Sequence, residues 1–236
     1  AGYAVKGSVT KSEKLSALQA IGVKGFVLNL GEESPNWQAF LNCDYLIICT
    51  PNKSIEAHEH LLKAILANGT PKVLFVSSTS VYPNLDVPVT EDAPVLDTPL
   101  VKIEQAFRNG LGGNLNIVRF GGLIGPKRNP ANFFAKRKSV PNAQAVVNLI
   151  HLTDCLGILQ SILGKNIWGE VWNACADTHP TRAQFYTRGM ELLALPVPEM
   201  EAGNKGKLVS NAKLKAQLAY NFHYPNLLSC LESMNT

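Results

Sequence analysis

A chain of 236 residues, 46% apolar and 17% charged, can bury one sizeable core with a small second lobe, and this composition argues against a disordered polypeptide. The net charge of +4 is scattered rather than gathered in a long basic stripe, which argues against a dedicated nucleic-acid binder. The sequence shows no apolar run of bilayer length and no signal pattern, and its five cysteines form no C-x-x-C pair, so a cytoplasmic protein with reduced thiols and no membrane partner is expected.

Short apolar runs alternate with helical patterns along the chain. Tyr3-Ala4-Val5 reads as a strand leaving the sheet at Lys6-Gly7-Ser8. A helix follows from about Ser12, with Leu15, Leu18 and Ile21 on one face and Gly22 closing it. Gly25 to Leu28 is the next strand, and Tyr45 to Cys49 is an apolar run that stops at Thr50-Pro51-Asn52. Leu61, Leu62, Ile65 and Leu66 mark a helix that turns at Asn68-Gly69. Val73 to Val76 is a further strand, ending in Ser77-Ser78-Thr79-Ser80. A helix over Val101 to Arg108, a turn at Gly110 to Gly113 and a strand at Leu115 to Val118 follow. Strands apolar throughout belong to a parallel sheet covered on both faces, and strand–helix–strand repetition is the doubly wound pattern.

Beyond Phe120 the rhythm loosens. Val146 to Ile150 reads as a strand, Thr153 as the N-cap of a helix, and Val171 to Cys175 as the last clear strand. Helices near Arg182 to Leu193 and Asn211 to Leu218 complete a small lobe. The fold class is therefore α/β, a Rossmann-type doubly wound parallel sheet with a small C-terminal substrate lobe. Residues 1–125 form the dinucleotide-binding core, and residues 126–236 supply late strands and the lobe.

Ligands in open α/β sheets sit beyond the carboxyl ends of the strands. Ser77 to Ser80 place four hydroxyls at such an exit, where they either bond a sugar or carbonyl or satisfy loop backbone groups. Several other features carry no site. His58-Glu59-His60 lacks the i, i+4 spacing of a metal pair and reads as a solvated helix stretch. Cys49 and Cys175 read as small core fillers. Lys127-Arg128 and Lys136-Arg137-Lys138 are short loop clusters, solvated or attractive to an anionic substrate. His151 and Asp154 form either an acid/base pair or a helix-entry hydrogen bond.

The order VLFVSSTSVYP, E-D-A-P, IEQAF, NIVRFGGLIGP and VNLIHLTDC, running from Tyr3 to about Tyr224, resembles the atypical extended short-chain dehydrogenases, the bacterial NAD-dependent epimerase/dehydratase-like family. The resemblance implies that Ser78 polarises a substrate oxygen, with Thr79 or Tyr82 assisting, and that Ser77, Thr50, Pro51, Phe120, Gly121 and Gly122 border the cofactor. It places Asn148 and His151 at the substrate cleft, with Arg119 and Lys205 as further anchors. Ser8, Thr10 and Lys11, with no acid before Glu13, suit a 2′-phosphate, so NADP is expected ahead of NAD.

Two departures from the family stand out. With its Glu on Glu104, its Tyr-x-x-x-Lys pair falls on Leu96 and Leu100, which carry no exchangeable proton. Its glycine-rich phosphate turn is absent, so either a preceding segment carries it or the cradle is lost; the first is the reading adopted. The expected function is NAD(P)-dependent oxidoreduction or epimerisation of a small polar, sugar-like substrate. The alternatives are a non-catalytic NAD(P) sensor or scaffold and a structural subunit without a cofactor. A homodimer is compatible with this, but the mixed helix around Glu104 does not decide it.

Overall fold

The computed structural model describes residues 2–69, 71–126, 128–133 and 137–234. The fold is an α/β Rossmann-like arrangement of short parallel strands and helices, falling into two compact units. The first comprises Ala1–Phe75 and Asp97–Asn116, the second Val76–Leu96 and Ile117–Thr236.

The first unit holds β1 (Lys6–Val9), α1 (Leu15–Gln19), β2 (Lys24–Val27), α2 (Asn36–Leu41), β3 (Tyr45–Ile48), α3 (Ile55–Ala67) and the start of β4 (Lys72–Ser78). It also holds α4 (Pro99–Leu111) and the first two residues of β5 (Leu115–Phe120). β1 pairs with β2 and β3 with β4, both parallel. Pairing in β1 starts three residues later than the apolar run suggests, and Tyr3 and Val5 are half exposed. The glycines explain the register. Gly7 lies opposite Gly25, and a Cβ on Gly25 would stand 2.7 Å from Leu15 Cδ2, so this pairing lets α1 rest its leucines on the strands. Gly22, at φ +74°, ends that helix as expected.

The core of this unit forms where α3 and α4 pack together. Phe75 and Phe107 stack at 5.4 Å between ring centroids, and His58 sets its ring edge-on to both. His58 is therefore buried rather than solvated, with Nδ1 2.7 Å from the Ser54 carbonyl; only His60 of the pair is exposed. The two helices are capped by side chains, Ser54 Oγ accepting from Ala57 N and Thr98 Oγ1 from Val101 N. Burial on both faces holds for β4 and β5 but not for β3, where Ile47 is 43% exposed and the next outward position is Cys49. Cys49 is accordingly exposed, whereas Cys175 is buried as expected, its thiol pushed up to about 12 mainly by burial.

The second unit holds the ends of β4 and β5, then β6 (Gly122–Ile124), β7 (Ser139–Val140), β8 (Leu149–His151), α5 (Leu152–Lys165), β9 (Val171–Ala174), α6 (Arg182–Leu192), β10 (Glu199–Met200), α7 (Ala212–Leu218) and α8 (Leu227–Ser233). Strand order is β3-β4-β5-β9, with β6-β8 and β7-β10 as separate parallel pairs. The strand expected from Val146 is shorter than its apolar run: Val146 makes only an isolated bridge to Thr181, and Asn148 interrupts the pattern. Helix α5 starts two residues earlier than expected. Its N-cap is His151, whose Nδ1 accepts from Thr153 N at 3.2 Å, so Thr153 sits inside the first turn. His151 thus makes a helix-entry hydrogen bond, with Thr153 N as its donor.

A close approach fixes the β6–β8 pair. Gly122 N donates to the Asn148 carbonyl at 2.8 Å, and a Cβ on Gly121 would lie 2.7 Å from that same oxygen and 3.3 Å from Cys175 Cβ. Gly121→Ala is expected to destabilise the protein by about 2 kcal/mol, the usual scale for forcing a methyl into a packed site. A urea midpoint unchanged from wild type would refute that account.

Candidate active site

In the first unit, Ser8 lies within β1, and Thr10 and Lys11 follow it; all three are exposed. Lys11 Nζ reaches Glu13 at only 4.0 Å, so the ammonium is weakly engaged. Thr50 and Pro51 follow β3, where Thr50 Oγ1 accepts from Asn52 N and Asn52 Oδ1 from Ser54 N, folding the loop into the start of α3. These exposed hydroxyls and a loosely held cation fit the phosphate-bearing end of a dinucleotide. A glycine-rich pyrophosphate turn is not in the sequence.

The remaining expected residues lie in the second unit. At the end of β4 the four hydroxyls divide by burial. Ser77 and Thr79 are buried, Ser78 is half-buried and Ser80 exposed. Ser78 Oγ accepts from Ser80 N at 3.1 Å. A hydroxyl that receives a backbone N–H keeps its own O–H as a donor. Ser78 thus caps the short 3-10 turn Thr79–Val81 and retains its O–H as a donor.

Tyr82 is fully buried and its phenol is committed. It donates to Asn173 Oδ1 at 2.8 Å and accepts from Arg119 Nη1 at 2.6 Å, with the guanidinium 4.9 Å from its ring centroid. Burial pushes its pKa up, against the lowering pull of the Arg119 charge. Tyr82 is therefore a packed aromatic whose proton goes to Asn173. Asn173 N in turn donates to Glu91 Oε1 at 2.7 Å. The sequence hid this network because its members are far apart. The one local signal is Asn173 itself, an amide inside an otherwise apolar strand.

Phe120 is buried beside Gly121 and Gly122 at the end of β5. Asn148 spends its amide on main chain: Nδ2 donates to the Lys207 carbonyl and Oδ1 accepts from Val209 N, both at 2.8 Å. His151 packs against Tyr224 at 4.1 Å between centroids, and burial lowers its pKa although Asp154 pulls the other way. Lys205 is exposed, and its backbone N donates to Asn142 Oδ1. Of the basic loop clusters, Lys127 and Lys136 lie outside the described residues, while Arg128 Nε donates to the Leu123 carbonyl.

The acid/base pair has no substitute at its family position. Helix α4 begins at Pro99, so Leu96 precedes it and Leu100 lies in its first turn. Lys102 turns to Asp97 at 3.2 Å. Among the described residues no group of three or more metal-ligating side chains occurs, and no helix is long and apolar enough to cross a membrane.

This is the fold of the extended short-chain dehydrogenase and epimerase structures. It superposes on a conserved protein of unknown function from Silicibacter pomeroyi DSS with a TM-score of 0.80 at 23% identity, covering 99% of this chain and 90% of that one. It matches a short-chain dehydrogenase/reductase superfamily protein from Agrobacterium tumefaciens, solved with NAD, at 0.80 and 16%, covering 98% and 88%. UDP-glucuronic acid 4-epimerase from Bacillus cereus, also solved with NAD, matches at 0.79 and 15%, covering 99% and 90%. No protein-family model matches the sequence. It is 31% identical over 248 residues to Protein YeeZ of Escherichia coli (strain K12), an alignment covering 96% of this chain and 90% of that protein, and it belongs to the YeeZ family.

Proposed function

We propose that the protein binds NADP in preference to NAD and uses it in oxidoreduction or epimerisation of a small polar, sugar-type substrate at the β4 exit. The observation that carries this reading is Ser78, a half-buried hydroxyl whose oxygen accepts from Ser80 N and whose own O–H remains available as a donor. The fold likeness to proteins solved with NAD, two of them with UDP sugars, supports the binding of a nicotinamide dinucleotide.

In this proposal residues 1–125 serve as the cofactor core and residues 126–236 as the substrate part. Ser8, Thr10 and Lys11 hold the 2′-phosphate, and Thr50, Pro51, Ser77, Phe120, Gly121 and Gly122 border the rest of the dinucleotide. The nicotinamide, when bound, supplies a hydride acceptor or donor. Ser78 donates to the substrate oxygen where negative charge grows, and Thr79, buried behind it, supports the turn. Arg119, Asn148 and His151 act as positioning residues, since each has polar atoms engaged within the fold, and Lys205 is an exposed anchor.

Calorimetric titration tests the cofactor claim. NADP is expected to bind more tightly than NAD, and Lys11→Glu to weaken NADP by roughly tenfold, about 1.4 kcal/mol, while sparing NAD. The absence of heat with either dinucleotide would end the proposal. The leucines at 96 and 100, together with the Lys102–Asp97 pair, favour one rival, a dinucleotide-binding sensor. Tight NADP binding without hydride exchange across a panel of carbonyl compounds would select it.

A further inference from the structure

We propose that Lys207 is the cation of the substrate site, held in place to receive an oxyanion of the ligand, a phosphate or a carboxylate. This inference rests on the reading that the β4 exit is the chemical centre.

An ammonium carries three donors and no acceptor. Lys207 Nζ donates to the carbonyl oxygen of Tyr82, four residues beyond Ser78. Among the described residues no carboxylate lies within ion-pair distance of it. The contrast with its neighbours is informative. Lys213 pairs with Glu170 at 2.8 Å and Lys215 with Asp177 at 2.9 Å, so the basic side chains just downstream are neutralised. Lys207 is half-buried, and this desolvation lowers its pKa. A half-buried cation without a counter-charge keeps most of its desolvation cost until an anion arrives.

The backbone beneath it is fixed from two sides. Asn148 holds the Lys207 carbonyl and Val209 N through both ends of its amide. From the other side Val89 N donates to the Leu208 carbonyl at 2.7 Å, and Ser210 N donates to the Val89 carbonyl at 2.8 Å. The side chain is tied by its tip to the loop that follows Ser78, so little freedom remains to be lost when an anion binds.

The test uses protein labelled with ¹³Cε-lysine, with the Lys207 resonance assigned by its loss in Lys207→Met, or in Lys207→Arg if the methionine variant does not fold. Inorganic phosphate and malonate are titrated separately at constant ionic strength. A saturating shift at Lys207, with no such shift at the ion-paired Lys102, is expected for at least one anion. Phosphate alone marks a phosphorylated ligand, malonate alone a carboxylate, and a response to both the shared oxyanion chemistry. The Lys11 resonance reports phosphate entering the cofactor's own phosphate position. Calorimetry should show the responding anion bound about tenfold more weakly by Lys207→Met, with NADP affinity unchanged. A Lys207 resonance that moves no more than that of Lys102 under either anion overturns the proposal. NADP calorimetry on the wild type decides the underlying cofactor reading separately.

Discussion

Replacing Asp154 with alanine should lower the free energy of unfolding by about 3 kcal/mol, because it strands several donors at once in a partly buried place. The carboxylate is completely buried in the first turn of α5. Its Oδ1 accepts from His223 N at 2.7 Å and from the Tyr220 hydroxyl at 3.1 Å, and its Oδ2 accepts from Tyr224 N at 3.1 Å. The helix adds to this arrangement, since an acid in the first turn lies at the positive end of its dipole. Burial and the Asp154 charge together push the Tyr220 phenol well above its ordinary value, so it stays protonated and remains a donor. Gly157 completes the fit: a Cβ there would stand 2.3 Å from the Tyr220 hydroxyl oxygen. Asp154→Asn keeps one acceptor and should lose about half as much. Urea unfolding of both variants measures this, and a midpoint for the alanine variant within about 0.5 kcal/mol of wild type would show that the segment 220–224 is held by packing alone.

The same carboxylate shows which parts of the structure could be read from the sequence. An acid after a histidine at a helix start is a local pattern, and so are the apolar runs that became β3, β4, β5 and β9. Local propensity and periodicity act over a few residues, and α3 and α4 follow from them. The partners of Asp154 lie 66 to 70 residues downstream, and no pattern near either end announces them. The hydroxyl run at 77–80 was visible for the same local reason, but its division into two buried and two accessible groups depends on what packs around the end of β4. Lys207 has no local signal, because what sets it apart is that no carboxylate among the described residues stands beside it in space. Helices α2 and α8 carry no comparable local signal, and tertiary burial of Leu41, Leu227 and Leu231 stabilises them. For His58 and Cys49 the character of their neighbours in sequence is a poor guide, because the deciding factor is the side of the helix or strand they occupy.

Ser78→Ala is expected to reduce kcat by roughly 10²- to 10³-fold, the usual consequence of removing one preorganised donor from a developing oxyanion. Ser80 N occupies a lone pair of Ser78 Oγ, so the hydroxyl hydrogen must point elsewhere, and the half-exposed position allows that direction to be a ligand. Tyr82 cannot replace it, because its proton is engaged by Asn173 inside the core. Ser77 and Thr79 are buried on either side and offer no exposed donor. Alanine removes a hydroxyl but keeps the backbone of the turn, so stability should fall by no more than about 1 kcal/mol, the ordinary contribution of one hydrogen bond. On the proposed roles, in which Ser8, Thr10 and Lys11 rather than Ser78 hold the 2′-phosphate, NADP affinity should remain at the wild-type value. Ser78→Thr keeps the donor and should recover much of the rate, which a purely structural capping role would not require. If the alanine variant turned over at the wild-type rate once a substrate is in hand, the oxyanion role would pass from Ser78 to another group, and the hydroxyl run would be left as the cap of β4.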